Sequence, residues 1–324
     1  MFAFSFYISS LVGIITPADH QSLSLTLQLA QRHGYYASKV DWLAVSDQAK
    51  KMALRDGEDK AIHAVVAALK DGHSFYRPAA NPNFSFVSSP EPVASATDSH
   101  NPLFEIRPAF AGITTIRIHG WTGSNTAASS AIEQFDQEFS AAQTHAACGV
   151  ILDFSKNTGG HLWPMLLGLS PFLTEGSLGA FQDAQGGIER IEKKSAAIWV
   201  DGQRKQLNQT LGATFQFDQE PIAIVVGSQT ASSGEIVPIL FQTQANVRIF
   251  GNKTAGVATA NRRFALPNGG QLNITTAVTL NRAGQMFERH LTPDVITTTP
   301  LKVASDWILA KCQSVSQHQE NKAG

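Results

Sequence analysis

Strand-like and helix-like segments alternate from residue 104 onward, which predicts an α/β layered domain, and a small helical subdomain precedes it. Three observations carry this reading. Gly149-Val-Ile-Leu-Asp153 and Pro221-Ile-Ala-Ile-Val-Val226 are short continuous apolar runs, the pattern of strands buried on both faces of a parallel sheet. A loop and then a helical pattern follow each run. Before the boundary the chain shows helical periodicity alone.

Taken in order, residues 1–18 form an apolar segment (MFAFSFYISSLVGII, then Thr16-Pro17-Ala18) that reads as signal-like, the alternative being a segment packed on the domain. Residues 19–76 make the helical subdomain. Its first helix is rich in leucine and stops at His33-Gly34, a second starts after Asp41, and a third spans Asp59 to Leu69. In that third helix Ile62, Val65, Val66 and Leu69 fall on one face, and Asp71-Gly72 ends it. Residues 77–103 contain five prolines among Ser, Ala and Asn, a linker or loop too short for an inserted peptide-binding module. The core, 104–315, begins with a strand at Ile113 to Ile118 and a helix at Ala127 to Gln143. It continues after Gly149–Asp153 with a helix from Leu162 to Phe172 and a hairpin at Asp201-Gly202. After the second buried run come a helix at Ser233 to Gln242, the strand Val247 to Phe250, β-rich chain through Thr279 and a helix at Ala304 to Cys312. Residues 316–324 read as a polar tail.

Composition narrows the function. Of 324 residues 43 % are hydrophobic, enough for a large core, and 25 basic against 26 acidic residues give a net charge of −1. That balance supplies no field for nucleic acid. Cys148 and Cys312 lie in no CxxC motif, so zinc clusters and thioredoxin-like chemistry are excluded. They read as two buried free thiols, with a single bridge as the alternative.

The chemistry concentrates in two loops that each leave a buried strand for a helix N-terminus, where unpaired N–H groups can hold an oxyanion. One is Asp153-Phe-Ser-Lys-Asn-Thr-Gly-Gly160. The other is Gly227-Ser-Gln-Thr-Ala-Ser-Ser-Gly-Glu235, with a hydroxyl at the first turn. If the two strands are parallel, both loops share one sheet edge and Ser232 meets the backbone of Gly159 or Gly160. Asp153 reads as a cap on its own loop and Glu235 as a complement to the helix dipole.

At these residues the sequence resembles the tail-specific (C-terminal processing) and tricorn-core serine peptidases. The segments that carry the likeness are Val40-Asp41-Trp42, Leu69-Lys-Asp-Gly-His-Ser74, Gly149 to Gly160 and Thr230-Ala-Ser-Ser-Gly-Glu235. Gly251-Asn-Lys-Thr-Ala-Gly256, Leu266-Pro-Asn-Gly-Gly-Gln-Leu272 and Glu288-Arg-His-Leu-Thr-Pro-Asp294 extend it. The resemblance implies a Clp-protease/crotonase-like core, a serine peptidase without cofactor, and a peptide or unfolded-protein substrate, self-association being left open. It implies Ser232 as nucleophile and the N–H groups of Ser233 and of Gly159 or Gly160 as oxyanion donors. Processing proteases place a lysine after the Thr-x-Gly turn, where this chain has Val257, and Lys253 reads as a solvated turn residue. The Asp-Gly-His-Ser motif instead resembles the tricorn-like branch, with His73 as base, its position past a helix C-terminus favouring the imidazolium. In that branch a glutamate near the C-terminal Pro-Asp completes a relay, which implies Glu288 here, and Ser74 is the candidate bridging serine. His161 and His290 are candidates to line the pocket. The signal-like segment implies export. Two rivals are an apolar-ligand-binding protein on the same core and a serine esterase, though the chain has no GxSxG elbow.

Overall fold

A computed structural model describes residues 20–79, 102–142, 148–195, 197–207, 217 and 219–323, without the side chains of 109 and 314–323. The signal-like segment and most of the 77–103 linker lie outside the described residues. In chain order the elements are α1 (Gln21–His33), α2 (Trp42–Asp56), α3 (Glu58–Ala67), β1 (Phe75–Arg77), β2 (Phe104–Phe110), β3 (Ile113–Ile118), α4 (Asn125–Ala142), β4 (Gly149–Asp153), α5 (Leu162–Gly168), β5 (Gly176–Asp183), β6 (Ile188–Lys194), β7 (Ala197–Val200) and β8 (Gln203–Arg204). Then follow β9 (Ile222–Val226), α6 (Ser233–Phe241), β10 (Val247–Gly251), β11 (Thr259–Ala265), β12 (Gln271–Asn281), β13 (Met286–Phe287), β14 (Val295–Ile296) and α7 (Pro300–Ala323).

The chain divides into two compact units. The first holds α1 to α3, β1 and residues 263–274. Asp41 caps α2 by accepting the Ala44 N–H at 3.1 Å, which satisfies one of the helix's free donors. The face predicted for the third helix is the one that is buried, Ile62, Val65, Val66 and Leu69 packing with Leu23, Leu27, Leu266, Leu272 and Ile274. Thus 263–274, read from sequence as core, packs with the helices: its apolar residues alternate along a strand pair, and β1 pairs antiparallel with Gln271–Asn273.

The second unit holds Asp71–His73, β2 to Arg262 and the chain from Thr275 on. Its main sheet has the order β14-β10-β9-β4-β3-β2, all neighbours parallel except β2 with β3. Alternation explains how both faces are filled. Val150, Leu152, Ile222, Ile224 and Val226 point into the cluster with Phe135, Phe139, Met165 and Leu240, while Ile151, Ala223 and Val225 meet Ala304 and Ile308 of α7. The second half of β12 pairs antiparallel with β5, and β6, β7 and β8 continue antiparallel.

Three expectations change. The helix expected from Leu162 to Phe172 ends as α-helix at Gly168 and resumes as a 3-10 turn at Ser170–Phe172, because Pro171 has no N–H to give to the preceding turn. The last helix, expected over Ala304 to Cys312, extends over Pro300–Ala323: only its buried positions carry the apolar signal. The cysteines are bonded to each other rather than free. Cys148 leads into β4 and Cys312 rides on α7, which packs against that strand, and their Cα atoms lie 5.2 Å apart across 164 residues of sequence.

Candidate active site

β4 and β9 are parallel neighbours, with Val150 opposite Ile222 and Asp153 opposite Val225, so their following loops leave the same sheet edge. Side chains and backbone then join the loops. Thr230 Oγ1 donates to the Phe154 carbonyl at 2.8 Å and accepts the Gly227 N–H, and the Ala231 N–H donates to the Asn157 carbonyl at 3.0 Å. Asn157 is fully buried. Its Oδ1 accepts the Gly159 N–H at 2.8 Å, and its Nδ2 donates to the Ile118 carbonyl at 3.2 Å. Gly234 allows the approach, since a Cβ there would sit 2.6 Å from the Asn157 carbonyl oxygen. Sequence reasoning missed Asn157, although an Asn between a strand end and Gly-Gly is an Asx-turn signal.

Ser232 heads α6 with φ 55° and ψ −124°, a conformation that costs a non-glycine residue of order 1–3 kcal/mol and concentrates at functional sites. Its neighbours hold it there. Ser233 Oγ donates to the Gly160 carbonyl at 2.8 Å, and a Cβ on Gly159 (φ +97°) would lie 2.7 Å from Ser232 Cβ and 3.2 Å from the Ser233 nitrogen. The structure therefore brings Ser232, Ser233, Gly159 and Gly160 together. It corrects one donor: the Gly159 N–H is already given to Asn157, so it is not available to an oxyanion. Among the described residues no acceptor takes the N–H of Gly160 or of Ser233.

Glu235 does more than complement the dipole. It is fully buried, Oε2 accepting the N–H of Ser232 at 3.0 Å and of Val257 at 2.9 Å, Oε1 accepting the Gly256 N–H at 2.9 Å and the Thr254 hydroxyl. Asp153 caps its loop through the Ser155 N–H at 3.0 Å and also pairs with Arg117 at 3.3 Å.

His73 is half-buried. Its Nε2 accepts from Asn261 Nδ2 at 3.0 Å, which leaves Nδ1 as the protonated nitrogen donating to Thr259 Oγ1 at 2.7 Å. Burial pushes the imidazole below its ordinary value, with Asp71 pulling the other way. This reverses the expectation of a favoured imidazolium. α3 ends at Ala67, and a helix dipole fades within its last turn. Among the described hydrogen bonds none joins His73 to Ser232. Ser74 is half-buried and opens the segment into β1. Glu288 is exposed, on the wall of an open cavity of about 420 Å³ that it shares with Gln242, Gln285, Arg289 and His290. No described contact joins Glu288 to His73 or Ser232. Lys253 is exposed, and Val257, in the place of the processing-protease lysine, is half-buried. His161 precedes α5, and His290 Nδ1 donates to the Thr254 carbonyl at 2.6 Å.

The chain is similar to several known proteins. A nisin-resistance protein from Lactococcus lactis subsp. lactis is 32 % identical over 161 residues, 49 % of this chain and 49 % of that protein. A carboxy-terminal-processing protease from Bartonella bacilliformis is 25 % identical over 154 residues, 47 % of this chain and 32 % of that one. The chain thus spans half or less of the length of these relatives. A lipoprotein from Streptococcus agalactiae shares the fold, with a TM-score of 0.72 over 95 % of this chain and all of that one at 22 % identity. Residues 112–297, which carry both loops, Ser232 and Glu235, match the profile of peptidase family S41, and the chain belongs to that family.

Proposed function

We propose that this protein is a serine peptidase with a histidine base, as in the tricorn-like branch, acting on peptides or unfolded protein. The observation that carries the reading is Ser232, held at positive φ on a helix N-terminus beside two N–H groups with no described acceptor. Ser232 Oγ attacks the scissile carbonyl carbon as His73 Nε2 takes its proton, and the N–H groups of Gly160 and Ser233 receive the developing oxyanion. The C–N bond then breaks, the proton passes from His73 to the leaving amine, and water hydrolyses the acyl-enzyme with the same residue as base. Before the first step Nε2 exchanges the Asn261 N–H for the Ser232 hydroxyl. Glu288 takes no part in proton transfer in this reading, because its carboxylate faces solvent.

The protein acts outside the cytoplasm in this reading. The Cys148–Cys312 bond supports an oxidising compartment, and among the described residues no helix is long and apolar enough to cross a membrane. The relative named for nisin resistance makes nisin a substrate to include in any trial. The test is mass spectrometry of a proteome-derived peptide library and of nisin after incubation with wild type and with Ser232→Ala. The proposal expects new termini with wild type only. Equal cleavage by Ser232→Ala overturns it, as does an absence of cleavage by wild type.

A further inference from the structure

We propose that Glu235 is a positioning residue that locks the nucleophile's loop to the turn adjoining the base, an inference that rests on the Ser232–His73 reading. Complementing a helix dipole requires only a charge near the first turn. Glu235 instead is fully buried and divides its four acceptor contacts between two segments: Ser232 on one side, and Thr254, Gly256 and Val257 on the other. Each carboxylate oxygen accepts twice, so no acceptor position can be lost without orphaning a donor.

The far segment leads to the base. The Thr259 N–H donates to the Val257 carbonyl at 2.8 Å, and Thr259 Oγ1 meets His73 Nδ1 at 2.7 Å. One continuous path therefore runs from the Ser232 amide through Glu235 and Val257 to Thr259 and the imidazole. The same turn is tied elsewhere, the Ala255 N–H donating to the Thr230 carbonyl at 2.9 Å and the Leu291 N–H to Thr254 Oγ1 at 2.9 Å. Those bonds keep the turn folded when Glu235 is altered. What the carboxylate adds is the bond that reaches the amide of Ser232, the residue with the strained φ.

Glu235→Gln keeps length and shape but puts an NH₂ opposite two donors, so one of the two oxygens can no longer accept. With a peptide substrate kcat should fall about 10²-fold while KM stays within about twofold, the mark of misplaced reacting groups rather than lost binding. His73 should respond although Glu235 does not touch it: by NMR of the ring protons its resonances and titration midpoint should move relative to wild type, because the Thr259 contact that orients the ring shifts with the turn. In wild type the amide hydrogens of Ser232, Gly256 and Val257 should exchange together as one protected group. A folded Glu235→Gln with wild-type kcat, an unmoved His73 midpoint, or wild-type exchange at Ser232 unrelated to that at Gly256 and Val257 would each overturn the proposal. A wild-type protein without peptidase activity sinks the catalytic reading alone. The midpoint and the exchange pattern then still decide whether Glu235 joins the two segments.

Discussion

Gly159→Ala tests the contact between the two loops in the place where it meets the serine. Gly159 has φ +97°, and the added methyl would stand 2.7 Å from Ser232 Cβ and 2.8 Å from the Ala231 carbonyl oxygen. Two costs arise. Left-handed backbone in an alanine costs about 1–2 kcal/mol, and overpacking a close contact about 1–3 kcal/mol more. Gly176 separates them, because it has a similar φ of +103° in the same unit and a methyl added there would meet no heavy atom within 4 Å. Gly176→Ala should therefore lose only the backbone share, about 1–2 kcal/mol, and Gly159→Ala about 2–5 kcal/mol. At about 3 °C per kcal/mol, calorimetry should find Tm lowered by roughly 3–6 °C and 6–15 °C respectively. The activities should separate further. Relief of the clash moves Ser232 away from the Gly160 and Ser233 N–H groups, and a misplacement of about 1 Å costs about 10²-fold. Peptide hydrolysis should be near wild type in Gly176→Ala and fall about 10²-fold in Gly159→Ala. If the two variants match in both Tm and activity, Gly159 does not brace the serine and the reasoning fails.

Because burial holds His73 below the ordinary imidazole value, kcat/KM should lose its acid limb below about pH 6.5, and a limb centred above that value would contradict the assigned environment. The stability contribution has the same sign: it is fully present above the unfolded value of about 6.5 and is lost as pH falls through the lower folded value, so His73→Gln should flatten that part of a Tm-versus-pH curve. Cys148→Ser opens a bridge between residues 164 apart in sequence, and urea unfolding should find about 2–5 kcal/mol less stability, with an unchanged midpoint contradicting the bond.

How much of this was legible in the sequence depended on whether the signal was local. The buried face of α3, the Asp41 cap and the β4 and β9 runs were legible because each is written in neighbouring residues with a fixed period. The meeting of Ser232 with Gly159 and Gly160 followed from one inference, that the two strands are parallel. Glu235 is legible only in its first-turn role, because three of its four donors lie 19 to 22 residues downstream, beyond any helix periodicity. The cysteine pair is joined only because α7 packs on the sheet, and the placement of 263–274 rests on long-range packing of Leu266, Leu272 and Ile274. The strained φ of Ser232 left no mark in composition or spacing, and the break at Pro171 lies inside a segment whose apolar pattern reads as one helix to Phe172.

The central claim is that Ser232 is an activated nucleophile, and covalent labelling with a fluorophosphonate, read by intact mass and then by peptide mapping, tests it most directly. The account predicts one label per chain, on Ser232, formed faster as pH rises through the His73 titration and absent from Ser232→Ala. Label on Ser233 or another residue, or none on a correctly folded wild-type protein, would contradict it.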